Sequence, residues 1–158
     1  MPALDDIYAR YKEHGVRSVF LYTQEAHPGE NYPHLTSMEQ KFQHAEDFRD
    51  KVGVGRPILV DSLEGDCHWA YGSEANMTWI ISGAGLPVYK AEWTDPSSIE
   101  NALEYFVEVD VRRERGEAIV PFPVVRLDYR EHDVDAIYRG LEVAGPKAVA
   151  EFERAFGR

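Results

Sequence analysis

The chain has 158 residues, enough for one domain with a core of its own, and its 44% hydrophobic, 12% aromatic and 28% charged composition is that of a globular protein. The formal net charge of −11 argues against binding a phosphate backbone, which needs clustered lysine and arginine, and against an anionic membrane surface. No run approaches the ~18 apolar residues of a membrane span. The opening segment MPALDDIYARYKEHG, with Asp5 and Asp6 in its first turns, does not read as a secretory signal, and a lone cysteine, Cys67, makes no internal disulfide; both point to a reducing cytoplasm.

Met1 to His14 reads as a helix, with Leu4, Ile7, Tyr8 and Tyr11 on one stripe and Gly15 as its stop. Val19 to Leu21 is a short β-favouring run, too brief for a helix, and Pro28, Gly29, Asn31 and Pro33 make the following segment a loop. Thr36 and Glu39 match a capping box for a second helix, whose expected buried face is Met38, Phe42, Ala45, Phe48 and Val52. Pro57 to Ser62 reads as a strand buried on both faces. Gly65 to Tyr71 predicts one or two helical turns, stopped by Gly72. Met77 to Ser82 and Leu86 to Trp93 flank Gly83-Ala84-Gly85 as a hairpin, with Pro87 at an edge or strand start. Thr94-Asp95-Pro96 opens a helix with the apolar face Ile99, Ala102, Leu103, Phe106 and Val107. At Arg112 a charged break is expected, then an extended stretch from Glu117 to Leu127, then helices over Asp133 to Val143 and Pro146 to Phe156. Alternating helices and strands followed by a hairpin predict an α/β domain with one mixed sheet of four strands.

Glu25 and His27 lie just beyond the first strand, where ligands meet the carboxyl ends of strands in open α/β sheets. A histidine beside a carboxylate can act as general acid or base near neutral pH; the plainer alternative is a loop histidine bonded to backbone. Cys67, near the start of a short helix and beside His68, partly meets the needs of a thiolate nucleophile, although free cysteine is more often a small buried hydrophobe. His27, Glu30, His34, His44, Cys67 and His68 have no spacing dedicated to a metal, and the sequence implies neither metal nor cofactor. Tyr22, Tyr32, Trp69, Trp79 and Trp93 would suit an aromatic-lined pocket, or core packing. Asp5-Asp6 and Glu46-Asp47 are most simply solvated helix faces.

Three segments carry a family resemblance. YTQEAHPGENYP resembles the Glu-Ala-His stretch of the iodothyronine deiodinases and their bacterial redoxin relatives. PILVDSLEGDCHWAYG resembles the next strand and Ala-Tyr-Gly turn of that group, and MTWIISGAGLPVYKAEW its terminal hairpin. The resemblance implies a thioredoxin-like domain over residues 1–111, with 112–158 as a C-terminal extended and helical extension. It implies thiol or selenol oxidoreductase ancestry, with Glu25 and His27 near the nucleophile and substrate and Met77 and Thr78 where the family's hairpin faces the active site; Tyr22 and Tyr32 are candidate substrate-binding residues on their aromatic character alone. In the family the nucleophile lies between a first strand, central in the sheet, and the first helix. Here no matching residue or strand stands before that helix, and where the family's cis-proline would begin the hairpin the chain has Asn76-Met77-Thr78. Either the natural protein starts further upstream, or Ile119 to Leu127 fills the central slot, or a second chain completes the sheet as a homodimer. Three functions follow: a redoxin whose nucleophile is supplied from elsewhere; a non-redox enzyme using Glu25 and His27 as an acid–base pair on a small molecule; or a non-catalytic binding or dimerisation module.

Overall fold

The computed structural model describes residues 2–119 and 133–156, and over these the protein is a mixed α/β chain. Helix α1 is Pro2–Tyr11, extended by a 3₁₀ turn at Lys12–His14 that Gly15 closes in the left-handed region. Strand β1 is Phe20–Tyr22, α2 Met38–Val52, β2 Ile58–Val60 and α3 Asp66–Ala70. The hairpin strands are β3 Thr78–Ile81 and β4 Pro87–Ala91, followed by α4 Pro96–Glu114, α5 Val134–Ala144 and α6 Pro146–Phe156. Of the stretch expected to be extended over Glu117 to Leu127, residues 120–127 lie outside the described residues.

Local signals set most of these boundaries. Asp95 caps α4 by accepting from Ser98 N at 2.8 Å, with Pro96 in the first turn. Asp133 caps α5 by accepting from Ala136 N at 2.9 Å. The capping box of α2 sits one residue later than the sequence suggests: Ser37 accepts from Gln40 N at 3.2 Å, and the Gln40 side chain reaches back to Thr36 N at 2.8 Å. The expected break at Arg112 is also displaced. Glu108–Arg112 and Asp110–Arg113 pair across single turns, and α4 continues to Glu114 before Gly116 turns the chain.

The sheet differs from expectation. The four strands form two pairs rather than one mixed sheet: β1 and β2 run parallel, with Phe20 opposite Ile58 and Tyr22 opposite Val60, and β3 and β4 run antiparallel. No strand among the described residues joins the pairs. β2 is not buried on both faces; Leu59 is 53% exposed, because a two-stranded pair offers too little cover for one.

Packing gathers the chain into two compact units, each assembled from two stretches. The first contains residues 2–18 and 74–119; its core is Ile7 of α1 against Ile99 and Leu103 of α4, with Leu4, Tyr11, Val16 and Ile80 packed around them. The second contains 19–73 and 133–156. A division at residue 111 would cut through α4, and the two C-terminal helices belong with β1, α2 and β2 rather than forming a separate extension.

Within the second unit α5 and α6 form a helical hairpin around Leu141, Ala144 and Ala148, supported by Ile137, Tyr138, Val149 and Phe152. This hairpin clasps the loop after β1. Asn31 N donates to Ala144 O at 3.0 Å, and the Asn31 amide donates to Val143 O at 3.0 Å. The Glu30 carboxylate accepts from Lys147 N at 2.9–3.0 Å and so caps α6 from a distant part of the chain. Gly145, the residue before α6, has φ +119° and ψ 168°, and a Cβ there would collide with the Glu30 carboxylate. Gly145→Ala is therefore expected to lower stability in urea denaturation by about 1–3 kcal/mol. Gly140→Ala, inside α5 with open space around it, should instead raise stability by roughly 0.5–1 kcal/mol.

Candidate functional site

The site residues read from the sequence lie mainly in the second unit. Its floor is the parallel pair β1–β2, extended one step when Asp61 N donates to Tyr22 O at 3.1 Å. Helix α2 packs on this pair with Phe48 against Phe20, ring centroids 4.9 Å apart. The buried stripe of α2 is not the apolar one. Phe42 is 53% exposed, whereas Lys41 and His44 are 1% and 6% exposed and lie beside buried Ala45. Both buried polar side chains of α2 have specific partners, Lys41 at Ser62 O and His44 at Glu25, which is why their burial is tolerated.

Glu25 is brought to a histidine, but not to His27. The bonds of its carboxylate run to His44 Nδ1, at 2.9 Å, and to the Tyr22 hydroxyl, which donates to the same oxygen. A carboxylate only accepts, so His44 carries its proton on Nδ1, and in the neutral ring Nε2 holds the lone pair. Burial, then the bond to Glu25 and its charge, push the Tyr22 hydroxyl far above its ordinary pKa, so it stays a neutral donor. Behind His44 the Tyr32 ring stands edge-on, centroids 5.0 Å apart. Tyr32 donates to Asp47 Oδ2 at 3.0 Å and accepts from Lys51 Nζ at 2.5 Å. Lys51, Gln43 and Tyr32 together hold the Asp47 carboxyl down at about 2. Tyr22 and Tyr32 are thus pinned inside the wall, and the network ties residues 22–32 to α2.

His27 is exposed on the loop, its ring edge-on to Phe152 of α6 with centroids 5.7 Å apart. It forms part of a groove of about 550 Å³ between residues 26–34 and α6. The acid–base pair expected of Glu25 and His27 is thereby divided. Glu25 is bonded to His44, a residue the sequence raised only among side chains without metal-ligand spacing, while His27 faces the groove.

Cys67 sits in the first turn of α3, whose five residues are organised by Asp61. Asp61 accepts from Ser62 N at 2.8 Å, Cys67 N at 3.0 Å and His68 N at 2.8 Å. Burial would raise the Asp61 carboxyl, but these three donors and nearby Lys41 outweigh it and hold it below the ordinary carboxylate range. Lys41 donates to Ser62 O at 2.5 Å; its ammonium is pushed down by burial and partly restored by Asp61 and Glu64. The Cys67 thiol is pushed up, by burial and then by the Asp61 charge, the reverse of what a thiolate nucleophile needs. A short apolar strand ending in aspartate and followed by a glycine-started turn is the signal that could have marked Asp61, which the sequence offered only as the end of a buried strand.

Met77 and Thr78 belong to the other unit. There Met77 Sδ accepts from Trp79 Nε1 at 3.3 Å, and the Thr78 and Thr94 hydroxyls lie 2.7 Å apart. Among the described residues no three His, Cys, Asp or Glu side chains are grouped to hold a metal ion, and no helix is long and apolar enough to cross a membrane.

Asp61 supplies a test of this geometry. Asn has one acceptor oxygen where the carboxylate serves three donors, so Asp61→Asn should lower stability at pH 7 by about 1–3 kcal/mol in urea denaturation. Because the folded-state pKa of Asp61 is depressed, its contribution is present above the unfolded value near 4 and is lost as pH falls through the folded value. The difference in stability between wild type and Asp61→Asn should accordingly shrink below about pH 4.

No family model, curated protein or solved structure matches this chain.

Proposed function

We propose that this chain is a domain of deiodinase-like redoxin descent, on a thioredoxin-like frame, in which acid–base chemistry on a small molecule has replaced thiol chemistry. The observation that carries the reading is the buried Glu25–His44 hydrogen bond. It fixes the Glu-Ala-His segment against α2 and leaves His27 of the same segment facing the groove. His27 is the group that meets the ligand, donating or accepting a proton through its imidazole. Glu25 and His44 are positioning residues: they hold the loop, and Tyr22 keeps the carboxylate saturated with donors.

Two further features support the descent and the change of chemistry. Among the described residues, a parallel strand pair linked by a helix, then an antiparallel hairpin, then a helix, is the order of the elements that follow the first helix of a thioredoxin-like frame. The raised pKa of Cys67 favours an unreactive thiol. Localisation in a reducing cytoplasm is part of the same proposal.

Hydrolysis of 4-nitrophenyl acetate tests it, since the ester reports any accessible catalytic imidazole. Wild-type protein should exceed the buffer rate, His27→Ala should lose about 10²-fold, and Cys67→Ser should retain the wild-type rate. Dithiothreitol-driven reduction of insulin should not be accelerated. A wild-type rate no faster than buffer, an unchanged rate in His27→Ala, or loss in Cys67→Ser would overturn the reading.

A further inference from the structure

A second, smaller cavity lies within the second unit, beyond the carboxyl ends of the parallel pair. Thr23 and Gln24, which follow β1, line it together with Glu64, which follows β2, and Trp69 of α3. The carboxyl ends of strands are where open α/β sheets receive ligands. None of its lining residues lines the groove of His27, so the two are separate sites. Its volume is about 130 Å³. A cavity of roughly 150 Å³ admits benzene, so the space suits a head group of about five heavy atoms.

Trp69 gives the cavity its character. At 70% exposure it is the most exposed large hydrophobic side chain among the described residues. Its place is set locally. Trp69 N donates to Gly65 O at 2.9 Å, and a Cβ on Gly65 would stand 3.6 Å from Cδ1 and 3.8 Å from Nε1 of the ring. The pyrrole edge of the indole thus lies along the turn that opens α3, and most of the ring is left to water. A large aromatic surface left bare beside a cavity marks a binding wall.

Glu64 supplies the charge. Its carboxylate makes no ion pair within 4.0 Å among the described residues, and no lysine or arginine lines the cavity. The nearby Lys41 ammonium is buried and donates to Ser62 O; the charges acting on it are Asp61 first and Glu64 second. One ammonium against two carboxylates leaves the neighbourhood negative, in a chain of net charge −11. An anion is therefore disfavoured, and an uncharged apolar molecule would strip water from Glu64 without replacing it. A methylated ammonium carries its charge under an apolar surface, which suits a π face and a carboxylate together.

We propose that this cavity binds a free, small quaternary ammonium compound, its trimethylammonium group against the Trp69 ring and beside the Glu64 carboxylate. The same head group on a lipid carries a phosphate close by, which the negative neighbourhood disfavours. The site uses neither His27 nor its groove, so it stands or falls separately from ester hydrolysis.

Calorimetric titration with choline chloride at about pH 8, above the ordinary imidazole range, tests the proposal. Saturable binding with a Kd of about 5 mM or tighter is expected. 3,3-Dimethyl-1-butanol, which keeps the shape of choline with carbon in place of nitrogen, should bind more than about tenfold more weakly. Glu64→Gln and Trp69→Ala should each weaken choline about five- to tenfold. Trp69→Phe should lose less than Trp69→Ala, because it keeps a π face. Glu64 and Trp69 are exposed, so unchanged thermal melts of the variants would confirm that the fold is retained. Failure to saturate by about 50 mM, equal affinity for the uncharged analogue, or an unaltered Kd in Glu64→Gln or Trp69→Ala would overturn it. So would cosedimentation with phosphatidylcholine vesicles, since the site would then belong to a lipid surface.

Discussion

The geometry of the candidate site depends on a helix cap supplied from outside the helix. Gly145 stands before α6 and has no side chain with which to cap it. The first free amides of a helix must still be satisfied, and a carboxylate there also meets the positive end of the helix dipole. Glu30 meets both needs at Lys147 N, and its separation of 117 residues makes the cap a tertiary bond. Together with the two Asn31 bonds to Val143 O and Ala144 O, this contact holds the loop after β1 beside α5 and α6. Gly29 and Gly145 are small for the same reason: a Cβ at either would strike the opposing backbone or the capping carboxylate.

The second constraint is polar burial on α2. Lys41, His44 and, at the end of β2, Asp61 are nearly withdrawn from water, yet each has short directed bonds. Such groups stabilise little if their bonds are counted against water, but removing one partner leaves the other unsatisfied and is costly. They therefore select one arrangement of the loop, α2 and the turn before α3. The chemistry divides accordingly. Glu25 and His44 form the rigid interior and His27 the exposed face, while Asp61 organises the α3 turn, where burial and then the Asp61 charge push the Cys67 thiol up.

Much of the local structure was legible in the residues. Asp95 and Pro96 announce α4, Gly83-Ala84-Gly85 the hairpin, and Gly145-Pro146 the break between the last two helices. The face of α2 was not legible. A pattern reading sends Phe42 and Val52 inward, but the interior here is a set of hydrogen-bonding acceptors, Glu25 and Ser62 O, and the side chains that match them are His44 and Lys41. The same limit applies to Glu25, whose nearest histidine in sequence is His27 and whose partner in space is His44.

The sequence by itself determined the α/β class, the order of helices and strands, and most of their caps, because those rest on hydrogen bonds and periodicities spanning a few residues. It also picked out Glu25 and His27, just beyond the first strand, as candidate site residues. Tertiary structure alone decided that the strands pair two by two, that Glu25 takes a histidine 19 residues away, and that α6 is capped by Glu30. Those outcomes depend on which distant groups can satisfy one another once water is excluded, and local pattern carries no record of that choice.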